Sequence, residues 1–269
     1  MSSEKSTNES VLLVVEQSVA TITLNQPPRN TMTLSLLDSF AARLEDVRQD
    51  TAVRALVVRS HGRHFCAGAE LQGGMPGRRE ALGGVQGTAD QLRAVYKPFL
   101  NLLRLPIPTV ASVQGGAVGG GLGLAVACDF RIVSPSTKFL APFSQLGIHP
   151  GMGLTHLLPR LIGPSRAMEM LIRGRGVRGE EAVHWGLASQ CVEESSLFET
   201  ATSWAKDLAE KAPAVVRWTK QCVHQSVGMD PTLAADREAL AQALTFQSHD
   251  AAEGLAAFLE KRNPSFTGE

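Results

Sequence analysis

The sequence predicts a mixed α/β fold, with repeated strand–strand–helix units forming a core and an all-helical C-terminal third. Three observations lead there. Short β-rich runs alternate with amphipathic stretches over roughly the first 150 residues. Glycine-containing breaks fall between these runs, and no Pro- or Ser-rich linker separates independent domains. Beyond about residue 150 the strand signals stop and helical spacing takes over.

The elements follow in order. VLLVVE (11–16) and VATITL (19–24) are β-rich runs joined by QS, which reads as a hairpin. NQPPRN breaks the chain. Leu34, Leu37, Phe40, Ala41, Leu44 and Val47 then recur at helical spacing, giving an amphipathic helix over 33–49. RALVVRS (54–60) is a continuous apolar run, as in a strand buried on both faces. A long glycine-containing loop follows, then a helix over 88–104, a strand in PIPTVASVQG, a helix beginning in GGGLGLAVACD, and two short strands in FRIVSPSTKFLAPF. Helices are expected over 152–162, 164–173, 179–186, 196–211, 213–227, 232–247 and 249–261. The short basic cluster GRGVR (174–178) reads as a solvated surface loop.

Composition narrows the function. Lys plus Arg and Asp plus Glu both number 26, so no charge imbalance points to nucleic acid or to an anionic membrane surface. The hydrophobic fraction of 43% with 19% charged residues is that of a soluble globular protein, and no apolar run approaches the ~20 residues of a membrane span. Cys66, Cys128, Cys191 and Cys222 are widely spaced without a CxxC pair, so disulfides and structural zinc have little support and a reducing cytoplasm is the expected compartment. The polar N-terminus, MSSEKSTNES, reads as a disordered tail rather than a signal peptide.

Several motifs fail on spacing or context. No set of glycines from Gly115 to Gly123 meets GxGxxG, and Asp129 comes too soon to be the ribose acid expected ~20 residues on. GRGVRG (174–179) meets the spacing but follows a predicted helix, and as a P-loop it has Glu180 where Lys should stand. His61 and His64 lack further metal ligands and are better explained by a surface loop. Ser112, Ser134 and Ser144 lack a GxSxG elbow.

What remains is the glycine-rich helix start. Consecutive glycines let a substrate approach the main chain, and the free N–H groups of a helix start carry the positive end of its dipole. FCAGAEL (65–71) has the same small-residue character after another strand. Two amides, one from each loop, would suit the developing oxyanion of a thioester enolate. The same glycines are also explained by close helix–sheet packing.

Six segments in order, VATITLNQPPRN, HFCAGAEL, ASVQGGAVGGGLGLAVACDFRIVS, FLAPFSQLGIHPGMG, GRGVRGEEAVHWGLA and SHDAAEGLAAFLEKRNPSFTG, resemble the crotonase family, whose type members are the enoyl-CoA hydratases and isomerases. The resemblance implies a crotonase-like spiral of ββα units with a helical C-terminal trimerisation region. Its divisions would be a disordered tail (1–10), a spiral core (11–195) and a helical C-terminal region (196–269). It also implies an acyl-CoA thioester as substrate or ligand, no covalently bound cofactor, and a trimer or dimer of trimers. Carried over, the oxyanion amides fall on Ala69 and Gly120. Coenzyme A would meet Arg29, Ala67, Glu70 and Leu71, with Phe258 and Lys261 reaching it from a neighbouring subunit.

The chain departs from this pattern at its acids. Family hydratases carry one glutamate three residues after the middle glycine, where this chain has Gly123. They carry the other after the Pro of F-x-x-P-E, where FLAPF puts Phe143. Both positions would line the acyl pocket. Some family isomerases and dehalogenases use an Asp near the following PG, where this chain has Gly151. His149 is the expected local acid–base substitute, because an imidazole titrates near neutrality. His64 and Asp90 are weaker candidates. The expected function is an acyl-CoA enzyme of the hydratase/isomerase type with nonstandard acid–base residues. The alternatives are an acyl-CoA decarboxylase or thioester hydrolase of the same superfamily, and a noncatalytic acyl-CoA binder or carrier.

Overall fold

The structure, a computed structural model, describes residues 9–69 and 84–269. The hairpin forms from β1 (Val11–Glu16) and β2 (Val19–Leu24), paired antiparallel. Its two turn residues, Gln17 and Ser18, both take positive φ (48° and 64°), the geometry that follows the twist of the flanking strands. Strands β3 (Ala55–Ser60), β4 (Thr109–Val113), β6 (Phe130–Val133) and β9 (Gln190–Cys191) extend it in parallel, in the order β1-β2-β3-β4-β6-β9. A second sheet joins β5 (Gly116–Val118), β7 (Lys138–Leu140) and β8 (Val177–Arg178).

The unbroken apolar character of β3 has a direct cause. Leu56 and Val58 enter the larger core, against α1 (Leu34–Gln49), α2 (Gly84–Leu100) and α3 (Gly120–Ala127). Ala55 and Val57 face the other way, with Val110 and Ile132, onto Leu197, Ala201, Ala205 and Ala209 of α7 (Leu197–Ala209). Both faces of the sheet are therefore covered by helix. Helix α1 starts at Thr33, whose side chain accepts from the Leu36 amide, and ends by Asp50. Its buried stripe is Leu36, Leu37, Phe40, Leu44 and Val47, and Phe40 meets Phe99 of α2 edge-to-face at 4.8 Å. Leu34, expected on that stripe, is instead 71% exposed, because Leu36 occupies the inward position of the first turn.

Helices α4 (Leu154–Ile162), α5 (Pro164–Leu171), α6 (Gly179–Trp185), α8 (Pro213–Ser226), α9 (Pro231–Phe246) and α10 (His249–Glu260) form close to where helical spacing placed them. Three expectations are corrected. Strands do not stop at residue 150, because β8 and β9 lie beyond it; at two residues each they are too short to show periodicity. The GRGVR segment is no solvated loop. Val177 is buried in the small sheet, and Arg175 pairs with Glu169 (3.2 Å) and with Glu181 while lying 4.6 Å from the centre of the Trp185 ring. The helix expected over 88–104 begins at Gly84, and its last turn, Asn101–Arg104, tightens into a 3₁₀ turn after Pro98.

Helix α8 is tied to the core by a buried ion pair. The Asp129 carboxylate accepts from Lys220 Nζ at 2.7 Å and from the Thr109 amide and hydroxyl at 2.8 and 2.9 Å. Beyond it, α10 leaves Leu255, Phe258 and Leu259 exposed.

Candidate active site

The two small-residue loops lie against each other. The amide of Val118 donates to Cys66 O (3.0 Å) and that of Cys66 to Gly116 O (3.1 Å), so segment 65–69 runs beside β5 into the start of α3. On its other edge, Ala67 donates to Arg29 O and Met32 to Gly68 O, both at 2.9 Å. Gly68 makes this possible at φ 84°, a left-handed value that favours glycine. A Cβ there would fall 2.6 Å from Val118 O and 3.5 Å from the Gly120 nitrogen. Positions 68–69 and 120 are thus neighbours. Among the described residues, neither the Ala69 nor the Gly120 amide donates to a protein acceptor, and Gly120 opens α3, where amides are free.

The close fit explains the glycines. A Cβ on Gly121 would lie 2.7 Å from the Cys66 carbonyl carbon and nearer still to its oxygen. A Cβ on Gly120 would lie 3.0 Å from Met32 Cε and closer to its sulfur. Met32 therefore roofs the helix start, held by its pairing with Ala69.

The space at positions 119, 123 and 151 is bordered by other side chains. Against Gly123 rests Met152: a Cβ at position 123 would lie 3.0 Å from Met152 Cγ and nearer to Met152 Cβ. Met152 is 2% exposed and holds φ 57°, unusual for a residue with a side chain. Phe143, half-buried, brings its Cζ to 3.7 Å from a Cβ built on Gly119. At Gly151 the occupant is Tyr96 of α2, whose Cζ would be 2.7 Å from a Cβ there, with the hydroxyl nearer. Sequence reasoning passed over Met32, Tyr96 and Met152 because none belongs to a motif. The available signals were that Tyr96 is the single tyrosine and that Met152 stands between two glycines.

The other expected site residues fall as follows. His149 is exposed, and its Nδ1–H donates to Pro150 O at 2.8 Å. His64 turns its Nδ1 to the Gly116 amide as acceptor at 3.0 Å, bracing the two loops. Burial, with the Arg63 and Arg29 charges, holds this imidazole below its ordinary pKa. Asp90 is exposed and engaged by Gln86 and Arg93. The structure brings Arg29 and Ala67 together through the hydrogen bond above. Glu70 and Leu71 lie outside the described residues. Phe258 is 79% exposed on α10, and Lys261 is exposed just past that helix. A further residue, Asn30, is fully buried and knots the loops: its side chain accepts from the Gln26 amide and donates to His61 O and His64 O.

A family model described as enoyl-CoA hydratase/isomerase matches residues 15–269. The chain belongs to the enoyl-CoA hydratase/isomerase family. It is 35% identical over 263 residues to the 1,2-epoxyphenylacetyl-CoA isomerase of Escherichia coli (strain K12), covering 97% of this chain and 99% of that relative. It is 34% identical over 246 residues to the mitochondrial methylglutaconyl-CoA hydratase of Rattus norvegicus, covering 90% of this chain and 76% of that one. The crystal structure of an enoyl-CoA hydratase from Bacillus anthracis superposes with a TM-score of 0.88 at 32% identity, over 97% of this chain and all of that one. The fold is that of the crotonase superfamily, a sheet of ββα units followed by C-terminal helices. Among the described residues, no group of three or more His, Cys, Asp and Glu side chains is placed to hold a metal, and no helix is long and apolar enough to cross a membrane.

Proposed function

We propose that this family member binds an acyl-CoA thioester and stabilises its enolate between the amides of Ala69 and Gly120. The observation that carries the reading is the adjacency of Gly68, the residue before Ala69, and Gly120, with neither the Ala69 nor the Gly120 amide donating to an acceptor among the described residues. Preorganised donors of this kind lower an enolate-forming barrier by roughly 3–4 kcal/mol each. The reaction is of the hydratase/isomerase type, run without the two glutamates that Gly123 and Phe143 replace. His149 Nε2, free of the bond that Nδ1 makes, is the local proton carrier of this reading. Arg29 and Arg63, close enough to His64 to depress its pKa, give the loop a cationic rim suited to the phosphates of coenzyme A. Phe258 and Lys261 serve the same ligand from a second copy, whose docking would cover the exposed apolar residues of α10 in a trimer.

The test is turnover of an enoyl-CoA panel by the native chain and by Ala69→Pro, which removes one donor. A loss of about 10²–10³ in kcat with retained acyl-CoA binding is expected. Equal turnover by the two proteins refutes the reading.

A second reading is favoured by Met152 filling the space at Gly123, which leaves the site poor in acids. Decarboxylation or thioester hydrolysis also passes through an oxyanion and does not need both glutamates. Mass spectrometry of malonyl-type and β-keto acyl-CoAs after incubation decides it, and unchanged substrates exclude it. Tight acyl-CoA binding that strengthens with chain length, without any chemistry, would instead identify a binder or carrier.

A further inference from the structure

We infer that Tyr96 is the group through which the acyl pocket recognises oxygen: its phenol donates a hydrogen bond to an oxygen on the acyl chain beyond the thioester carbonyl. This rests on the acyl-thioester reading above. It narrows the substrate class to acyl chains that carry a hydroxyl or carbonyl beyond the thioester.

A chain of contacts leads from the helix start to the phenol. The Gly123 amide donates to Gly119 O at 3.0 Å, which places Gly123 one turn beyond the free amide of Gly120. Met152 packs on Gly123, and its neighbour Gly151 meets the Tyr96 hydroxyl. The other side chains that border this path, Met32, Phe143 and Met152, offer only carbon and sulfur. The Tyr96 phenol brings a protic group to that path.

Among the described residues the hydroxyl has no hydrogen-bond partner. The Tyr96 ring is half-buried against the main core. The absence of a side chain at position 151 is what lets the hydroxyl reach this place, since any Cβ there would collide with it. Burial pushes its pKa above the ordinary value, so the group is a neutral donor across the physiological range. Asp90 is engaged by Gln86 and Arg93.

The experiment compares butyryl-CoA with 3-hydroxybutyryl-CoA and 4-hydroxybutyryl-CoA by calorimetry, on the native chain and on Tyr96→Phe. At least one hydroxylated ligand is expected to bind the native chain about three- to tenfold more tightly than butyryl-CoA, the size of one net hydrogen bond. Tyr96→Phe should erase that preference while leaving butyryl-CoA affinity unchanged. Because Tyr96 is the only tyrosine, tyrosinate absorbance reports this group alone. Its titration should move upward with the preferred ligand, which stabilises the neutral phenol, and stay in place with butyryl-CoA. Equal affinities in the native chain, or a preference that survives Tyr96→Phe, overturns this inference alone. Failure of the native chain to bind any of the three overturns the acyl-thioester reading, and this inference with it.

Discussion

Placing an acid at position 123 should fail unless Met152, which packs there, is removed as well. A Cβ at this position would sit 3.0 Å from Met152 Cγ, 3.4 Å from Cε and nearer to Cβ, where carbon pairs prefer about 3.5–4.0 Å. Gly123→Glu therefore overpacks a buried turn, at a cost of about 1–3 kcal/mol, before the carboxylate finds a partner. Met152→Gly alone loses a buried side chain, about 2–5 kcal/mol, and regains about 1–2 kcal/mol by relieving φ 57°. The two changes share one space. The double variant should be more stable than the sum of the singles by about 0.5–3 kcal/mol. Urea denaturation of the four proteins measures this directly, and crotonyl-CoA hydration by the double variant reports whether the acid now functions. Additivity within about 0.5 kcal/mol, or a Gly123→Glu protein as stable as the native chain, would refute the claim that Met152 occupies the space at position 123.

Three further outcomes are expected. Lys220→Met should destabilise the fold by about 1.5–3 kcal/mol in denaturant titration, because it removes the ammonium from the Asp129 carboxylate and leaves Thr109 and His224 as its partners. The pKa of His64 lies below its ordinary value of 6.5, so an opened loop binds the proton more readily than the closed one. The stability of this loop pairing is thus full above about pH 6.5 and lost as pH falls, and hydrogen exchange at the Gly116 amide should accelerate on acidification. Burial pushes the Cys66 and Cys128 thiols up to about 12, so iodoacetamide should leave both unlabelled by mass spectrometry until the protein is unfolded.

The sequence was informative where a pattern is longer than its noise. Six-residue strands such as Ala55–Ser60 and helices such as Leu34–Gln49 repeat their period often enough to be recognised. Val177–Arg178 and Gln190–Cys191 cannot, since two residues define no alternation and their pairing comes from partners over 35 residues earlier in the chain. The glycines at 68 and 120 were legible because main-chain approach demands them. Met152 and Tyr96 were not, because what matters about them is which glycine each one fills, and that is a tertiary fact. His149 was singled out for its imidazole on the segment just past Phe143; the bond from its Nδ1 to the carbonyl of Pro150 has no sequence signal.

Asn30 carries a last consequence. One carboxamide grips three different stretches of backbone, at Gln26, His61 and His64, from the centre of a fully enclosed position. The stretches it grips border Arg29 and the run from Phe65 to Ala69. The main chain on either side of Arg29 and through His64 is therefore fixed by the fold itself.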